Sequence, residues 1–140
     1  MAVSINRLLT DGPQTTTIEF VLTTDATGPQ TGTIVDASTL AGSRGLGTER
    51  FRIKRLTAVV SDTDGQGAEL NLAWGNDTAD EVFCTLGVGQ TDLNIPFEPT
   101  NGFNGDLNYS LTINSAATIR ITLHKLHGYS DSQAQFNTSI

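Results

Sequence analysis

The chain carries a single cysteine, Cys84, in 140 residues. With no second thiol there is no internal disulfide, and the hydrophobic core alone must hold the fold. Cys84 stands in Val82-Phe83-Cys84-Thr85-Leu86, and the nearest charges are Asp80 and Glu81. A reactive thiolate needs an electropositive setting, so the sequence reads Cys84 as a small buried apolar residue. Also missing is any run approaching the roughly 18 apolar residues of a membrane span. Residues 1–11 lack the charged-then-apolar layout of a signal peptide. The expectation is a soluble protein made in a host cytoplasm, with no membrane partner and with a final place in a particle still open to it.

Basic residues are scarce: eight Lys and Arg against fifteen Asp and Glu give a net charge of −7. Phosphate contacts need clustered cations, so nucleic acid is not an expected partner. Five of the eight, Arg44, Arg50, Arg52, Lys54 and Arg55, nevertheless fall within twelve positions. A basic edge on an acidic body suits contact with an acidic protein surface. Basic residues on an exposed strand also deter edge-to-edge aggregation, and that is the commoner reason for them.

Catalytic and metal signatures are likewise wanting. Asp62-Thr63-Asp64-Gly65-Gln66-Gly67 begins like a calcium loop, but the fifth position is Gln and the twelfth, where a bidentate Glu belongs, is Ala73. The glycines around Gly45 and Gly47 lead into a strand rather than through Gly-Lys-Ser/Thr into a helix, so they form no phosphate cradle. His124 and His127 are three apart and would face opposite sides of a strand, which prevents them from sharing one metal. Gly-x-Ser-x-Gly is absent. Asp77, Asp80 and Glu81 sit in a polar stretch where solvation is the ordinary outcome. No enzyme activity, catalytic residue, metal or cofactor is expected.

What the chain does have is β pattern. Residues 49–74 read as a long hairpin, with arms Phe51 to Val60 and Ala68 to Trp74 around a Ser/Asp/Thr/Gly turn. In the first arm Phe51 and Ile53 share one parity while Leu56, Ala58 and Val60 share the other, which predicts a bulge near Lys54 and Arg55. Ile18, Phe20 and Leu22 alternate with polar residues, as do Leu70, Leu72 and Trp74. Trp74 therefore points into a core. Asp36 ahead of Ala37-Ser38-Thr39, with Gly42 after, predicts one helical turn. Residues 106–113 and 118–124 alternate cleanly and read as a second hairpin. Roughly eight short strands follow, hence an all-β, single-domain antiparallel β-sandwich or jelly roll over residues 15–128. Residues 1–14 are expected as a short strand or flexible N-terminal arm, and residues 129–140 as a flexible C-terminal tail.

The succession of Thr-Thr-Ile-Glu-Phe at 16–20, Ile-Val-Asp-Ala-Ser-Thr-Leu-Ala at 34–41, Phe-Arg-Ile-Lys-Arg-Leu at 51–56, Leu-Asn-Leu-Ala-Trp at 70–74, Gly-Asp-Leu-Asn-Tyr-Ser-Leu at 105–111 and Ile-Arg-Ile-Thr-Leu-His-Lys at 119–125 resembles small structural proteins of tailed-bacteriophage virions. In layout these look like capsid decoration, or cement, proteins. That resemblance implies a non-enzymatic β-sandwich on the outer capsid surface of the virion, stabilising the head lattice, with the major capsid protein as partner and a homotrimer as its own assembly. It brings no catalytic residues. Charge asymmetry and terminal apolar residues name the candidate capsid or subunit contacts: Ile5, Leu8 and Leu9 near the N-terminus, Arg50, Arg52, Lys54 and Arg55, and Phe136 and Ile140 in the tail. The alternative is a carbohydrate- or receptor-binding β-sandwich module of a virion fibre or adhesin, for which Phe97, Phe103 and Tyr109 are candidate groove residues if they are not core.

Overall fold

The computed structural model of the protein describes residues 3–12, 14–43, 49–99 and 102–126, with side chains from Asn6 onward. The described chain forms nine strands: β1 (Val3–Asp11), β2 (Thr15–Thr23), β3 (Gln30–Asp36), β4 (Phe51–Asp62), β5 (Glu69–Asn76), β6 (Glu81–Gly87), β7 (Gly89–Leu93), β8 (Phe103–Leu111) and β9 (Ser115–Lys125). A single 3₁₀ turn, Ala37–Thr39, follows β3, and the Asp36 side chain caps it by accepting from the Ser38 amide.

Two antiparallel sheets stack face to face. One has the order β1-β2-β9-β4-β7, the other β3-β8-β5-β6. Set β1 aside, and the orders 2-9-4-7 and 3-8-5-6 are those of a jelly roll. The all-β sandwich read from the sequence is therefore the fold. Residues 3–11, expected as arm or short strand, form β1, which pairs along its length with β2 and has a register shift between Leu8 and Thr10.

Each sheet turns one parity inward. Ile18, Phe20 and Leu22 of β2, Leu56, Ala58 and Val60 of β4, and Ile119, Ile121 and Leu123 of β9 face Leu70, Leu72 and Trp74 of β5 and Leu107, Tyr109 and Leu111 of β8. Burying each large side chain stabilises the fold by about 1.5–3 kcal/mol before ordering costs. The phase change in β4 is resolved as the pattern requires. The register with β9 shifts between Ile53 and Arg55, so Phe51 and Ile53 stay inside along with Leu56, Ala58 and Val60.

Two pairings inferred from the sequence are corrected. β4 and β5 are not the arms of one hairpin: β4 pairs with β9 and β7, whereas β5 pairs with β8 and β6 in the opposite sheet. Likewise β8 and β9 lie in different sheets rather than pairing across residues 114–117. Both connections are arches that carry the chain from one sheet to the other, and they are tied to each other. The Asn114 carbonyl accepts from the Thr63 amide at 2.8 Å and hydroxyl at 2.9 Å, and Asn114 Nδ2 donates to Asp64 Oδ2 at 3.0 Å. Polar turn residues serve an arch as well as a hairpin, and each arm carries an apolar face that needs covering from the opposite sheet.

Candidate functional site

The outer face of the four-stranded sheet forms an open groove of about 520 Å³. Its floor and walls come from all four strands in register. Thr33 on β3 lies opposite Asn108 on β8, which lies opposite Ala73 on β5, next to Val82 on β6. In the neighbouring rung Thr31, Ser110, Asn71 and Thr85 line up in the same way. The period of two in each strand sends Leu107, Tyr109 and Leu111 inward and leaves Asn108 and Ser110 on this face.

Hydrogen bonds fix the side chains that line it. Asn108 Oδ1 accepts from the Thr33 hydroxyl at 2.7 Å while its Nδ2 donates to Asp80 Oδ2 at 2.8 Å. Asp80, from the β5–β6 connection, is thus held at the rim with its other oxygen unpartnered among the described residues. Asn71 Oδ1 accepts from Thr85 at 2.6 Å, and Asn71 Nδ2 donates to Glu69 at 3.1 Å. The Thr31 and Ser110 hydroxyls have no side-chain partner among the described residues. Between these polar groups lie Ala73 and the 56% exposed Val82. Gly32 also lines the groove, and a side chain there would meet the Tyr109 ring, with its Cβ 3.0 Å from the phenol oxygen. No Lys or Arg lines the groove. Beside it, burial and then the like charges of Asp36 and Asp80 push the Asp106 carboxyl above its ordinary value.

A shallow apolar floor framed by amides, hydroxyls and one acceptor carboxylate can hold a polyhydroxylated ring by its C–H face and its hydroxyls. The negative potential turns phosphates and other anions away. Sequence reasoning missed Asp80, Asn71, Asn108 and Thr33. Asn71, Asn108 and Thr33 occupy the solvent parity of ordinary strands and Asp80 a polar connection, and only the cross-sheet register brings them together.

The residues named from the sequence as contacts lie elsewhere and do not converge. Ile5 is on β1 opposite Val21, with Leu8 and Leu9 exposed on the same edge strand, 53% and 41%. Arg55 and Lys54 are on β4, with β2 and β9 in between. Arg50 donates to the Pro99 carbonyl at 2.7 Å and lies 5.7 Å from the centre of the Phe103 ring. Arg52 approaches Glu98 at 3.7 Å, and Arg55 makes a two-pronged contact with Asp92. Lys54 is exposed at the bulge. Phe136 and Ile140 lie outside the described residues, as do the whole of residues 129–140 and His127.

Trp74 is buried and stacked on Phe83 at 4.4 Å and 17°, with Phe103 edge-on at 5.4 Å. Phe51 and Phe97 complete that cluster, and Tyr109 packs on Phe20 at 4.8 Å. Phe97, Phe103 and Tyr109 are therefore packing residues rather than an exposed platform. Cys84, read from the sequence as buried, is half-buried against the core edge, and burial pushes its thiol up.

No family model matches the chain, and no curated protein does. Among solved structures it is similar to the enzymatically active domain of tailspike protein 4 of bacteriophage CBA120, at 13% identity and a TM-score of 0.40 over 89% of this chain; the chain spans 19% of that domain. It is also similar to a family 29 carbohydrate-binding module, at 7% identity and a TM-score of 0.40, over 98% of this chain and 97% of that one. Likeness at this level carries no argument about what this chain binds.

Proposed function

We propose that this protein is a non-enzymatic carbohydrate-binding β-sandwich module, carried on a phage particle, and that it takes an uncharged saccharide on the outer face of the four-stranded sheet. The observation that carries the reading is the Thr33–Asn108–Asp80 chain over the Ala73 and Val82 floor. Asn108 is held from both ends, so Asp80 presents its free oxygen, and Thr31 and Ser110 their hydroxyls, without further ordering cost. The virion setting rests on the sequence layout alone.

The test is calorimetric titration with a panel of neutral oligosaccharides against the parent, Asn108→Ala and Asp80→Ala. Removing either hydrogen-bonding group should weaken the best ligand about tenfold, the effect of losing one to two good hydrogen bonds. The absence of binding to every neutral probe by the parent, or binding by both variants as tight as the parent's, would overturn the proposal. Incubation with the bound oligosaccharide should release no product.

Capsid decoration is the second reading, and one observation favours it: every aromatic ring among the described residues is buried or half-buried, so the usual stacking platform for sugars is missing from this surface. It makes the protein a homotrimer on the major capsid protein, where three weak contacts hold by multiplicity. Light scattering coupled to size exclusion separates the readings. A species near three times 14.9 kDa that also binds empty heads supports decoration; a monomer that binds saccharide supports the module.

A further inference from the structure

The five-stranded sheet carries on its outer face a single rung that crosses all five strands: Arg7 on β1, Glu19 on β2, Arg120 on β9, Thr57 on β4 and Asp92 on β7, each opposite the next. Glu19 holds an arginine on either side, pairing with Arg7 and accepting from Arg120 at 3.0 Å. Asp92 accepts from Arg55 through Nε at 3.3 Å and a terminal nitrogen at 3.0 Å. The rung with Arg55 thus carries three cations and two anions, a positive strip on a chain of net charge −7.

Next to that strip lies a groove of about 370 Å³, lined by Glu19, Arg55, Thr57, Val59, Thr118, Arg120 and Thr122. Arg55 stands opposite Thr122, and Thr57 opposite Arg120. Arg55 and Arg120 therefore start from one diagonal of a square of backbone positions and Thr57 and Thr122 from the other, with the roughly 7–8 Å Cα spacing usual for diagonal neighbours. Glu19, itself in the groove lining, holds Arg120 from β2, and Asp92 holds Arg55 from β7, so each arginine is fixed at one side of the groove. Hydrogen bonds from Arg7 and then Arg120 hold the Glu19 carboxyl below its usual range, and Arg55 does the same for Asp92, so both acids stay ionised at neutral pH. A guanidinium has five N–H donors. Glu19 takes one of those on Arg120 and Asp92 takes two on Arg55, and the Thr118 and Thr122 hydroxyls have no side-chain partner among the described residues.

We infer that this groove is a second binding site, selective for a carboxylate-bearing sugar: a uronic-acid unit of an acidic glycan, with its carboxylate on Arg55 and Arg120, its ring hydroxyls on Thr57, Thr118 and Thr122, and its C–H face on Val59. The charge separates it from the other face. The four-stranded sheet's groove has Asp80 and no cation and rejects anions, whereas this one supplies two preorganised guanidiniums, which suit planar carboxylates. Hydroxyls and a carboxylate within one small ring match the Thr and Arg square better than an acidic peptide does, because a peptide offers carboxylates without the hydroxyls.

The experiment titrates the full chain with trigalacturonate, with a neutral trisaccharide and with a hexaglutamate peptide, following amide shifts by NMR. Trigalacturonate should shift Thr57, Val59, Thr118, Arg120 and Thr122 and bind less tightly as salt is raised. Arg55→Gln/Arg120→Gln together should weaken it at least tenfold without changing the melting temperature by more than a few degrees. Asn108→Ala, in the other groove, should leave uronate binding intact. That arm keeps the two sites apart: a parent that binds trigalacturonate but no neutral sugar fails the proposed function alone, and a parent that binds neutral sugar but not trigalacturonate fails this inference alone. Three results would overturn the inference: no shifts with trigalacturonate, equal binding by the double variant, or hexaglutamate binding as tightly as trigalacturonate.

Discussion

Lys125 Nζ lies 2.7 Å from Asp11 Oδ1 with its side chain only 1% exposed, and the same ammonium donates to the Gly12 and Ala41 carbonyls at 2.7 Å each. The ammonium's N–H donors thus reach a carboxylate and two carbonyls among the described residues. The contact joins the end of β9 to the β1–β2 turn and to the loop after the 3₁₀ turn. Asp11 in turn accepts from the Ala41 amide at 2.8 Å and the Thr16 hydroxyl at 2.9 Å. Lys125→Met keeps the apolar stem but strands a carboxylate and two carbonyls. It should cost about 3 kcal/mol, the low end for breaking a buried pair from one side. Urea unfolding at pH 7 measures it.

Acid should act on this protein in two opposite ways. Burial raises the Asp11 carboxyl, but hydrogen bonds from Lys125, Ala41 and Thr16 and the Lys125 charge outweigh it, and the group sits below its ordinary value. A depressed carboxylate contributes stability above the unfolded value, about 3.9, and loses it as pH falls through the folded one. Asp106 has the reverse sign. Burial and the Asp36 and Asp80 charges raise it, so the ionised form weakens the fold at neutral pH and the penalty fades as pH falls through the raised value. Asp106→Asn should therefore stabilise by about 0.5 kcal/mol at pH 7. Its advantage over the parent should shrink on acidification, whereas the deficit of Asp11→Asn should shrink only below about pH 4. Unfolding curves at pH 7, 5 and 3.5 for the three proteins decide it.

Much of the fold was legible in the residues. The parity of Ile18, Phe20 and Leu22 and of Leu70, Leu72 and Trp74 gave the strands and their buried faces, and the parity switch between Ile53 and Leu56 located the bulge of β4. Asp36 marked the one helical turn. Which strand pairs with which was not legible. The stretch from Asp62 to Gly67 has the composition of a hairpin turn, yet it arches between sheets, because the choice depends on β9 and β7 offering β4 better partners than β5 does. The grooves were hidden for the same reason. Asp80 and Asn108 are 28 positions apart, Glu19 and Arg120 101 apart, and only the register of the finished sheets brings them together.

Asn114 is where that choice can be tested. It is the one non-glycine residue with positive φ among the described residues, at 52°, and its side chain bridges to Asp64 in the neighbouring arch. Asn114→Gly keeps the backbone conformation and loses only the bridge, while Asn114→Ala loses both. The Gly variant should cost about 0.5–1.5 kcal/mol for the exposed hydrogen bond and the added chain freedom. The Ala variant should cost about 1 kcal/mol more, from the left-handed backbone. Equal costs would mean that the arch does not depend on this conformation.

Trp74 is the only tryptophan, so its emission reports one place in the core. Packed between the inner faces on Phe83, Phe103 and Phe51, and 1% exposed, it should emit in the blue range and resist quenching by iodide. Saccharide on either outer face should leave its emission unchanged, since both grooves are on the sides of the sheets turned away from it. Trp74→Ala should cost about 3–5 kcal/mol, because the aromatic cluster joining β4, β5, β6 and β8 cannot close over the volume removed. Trp74→Phe keeps the stacking on Phe83 and should cost less than half of that. Ready quenching of Trp74, or a spectral shift on adding neutral sugar, would show that the ring is reached from solvent, and the saccharide site would then have to move from the sheet faces to the aromatic cluster itself.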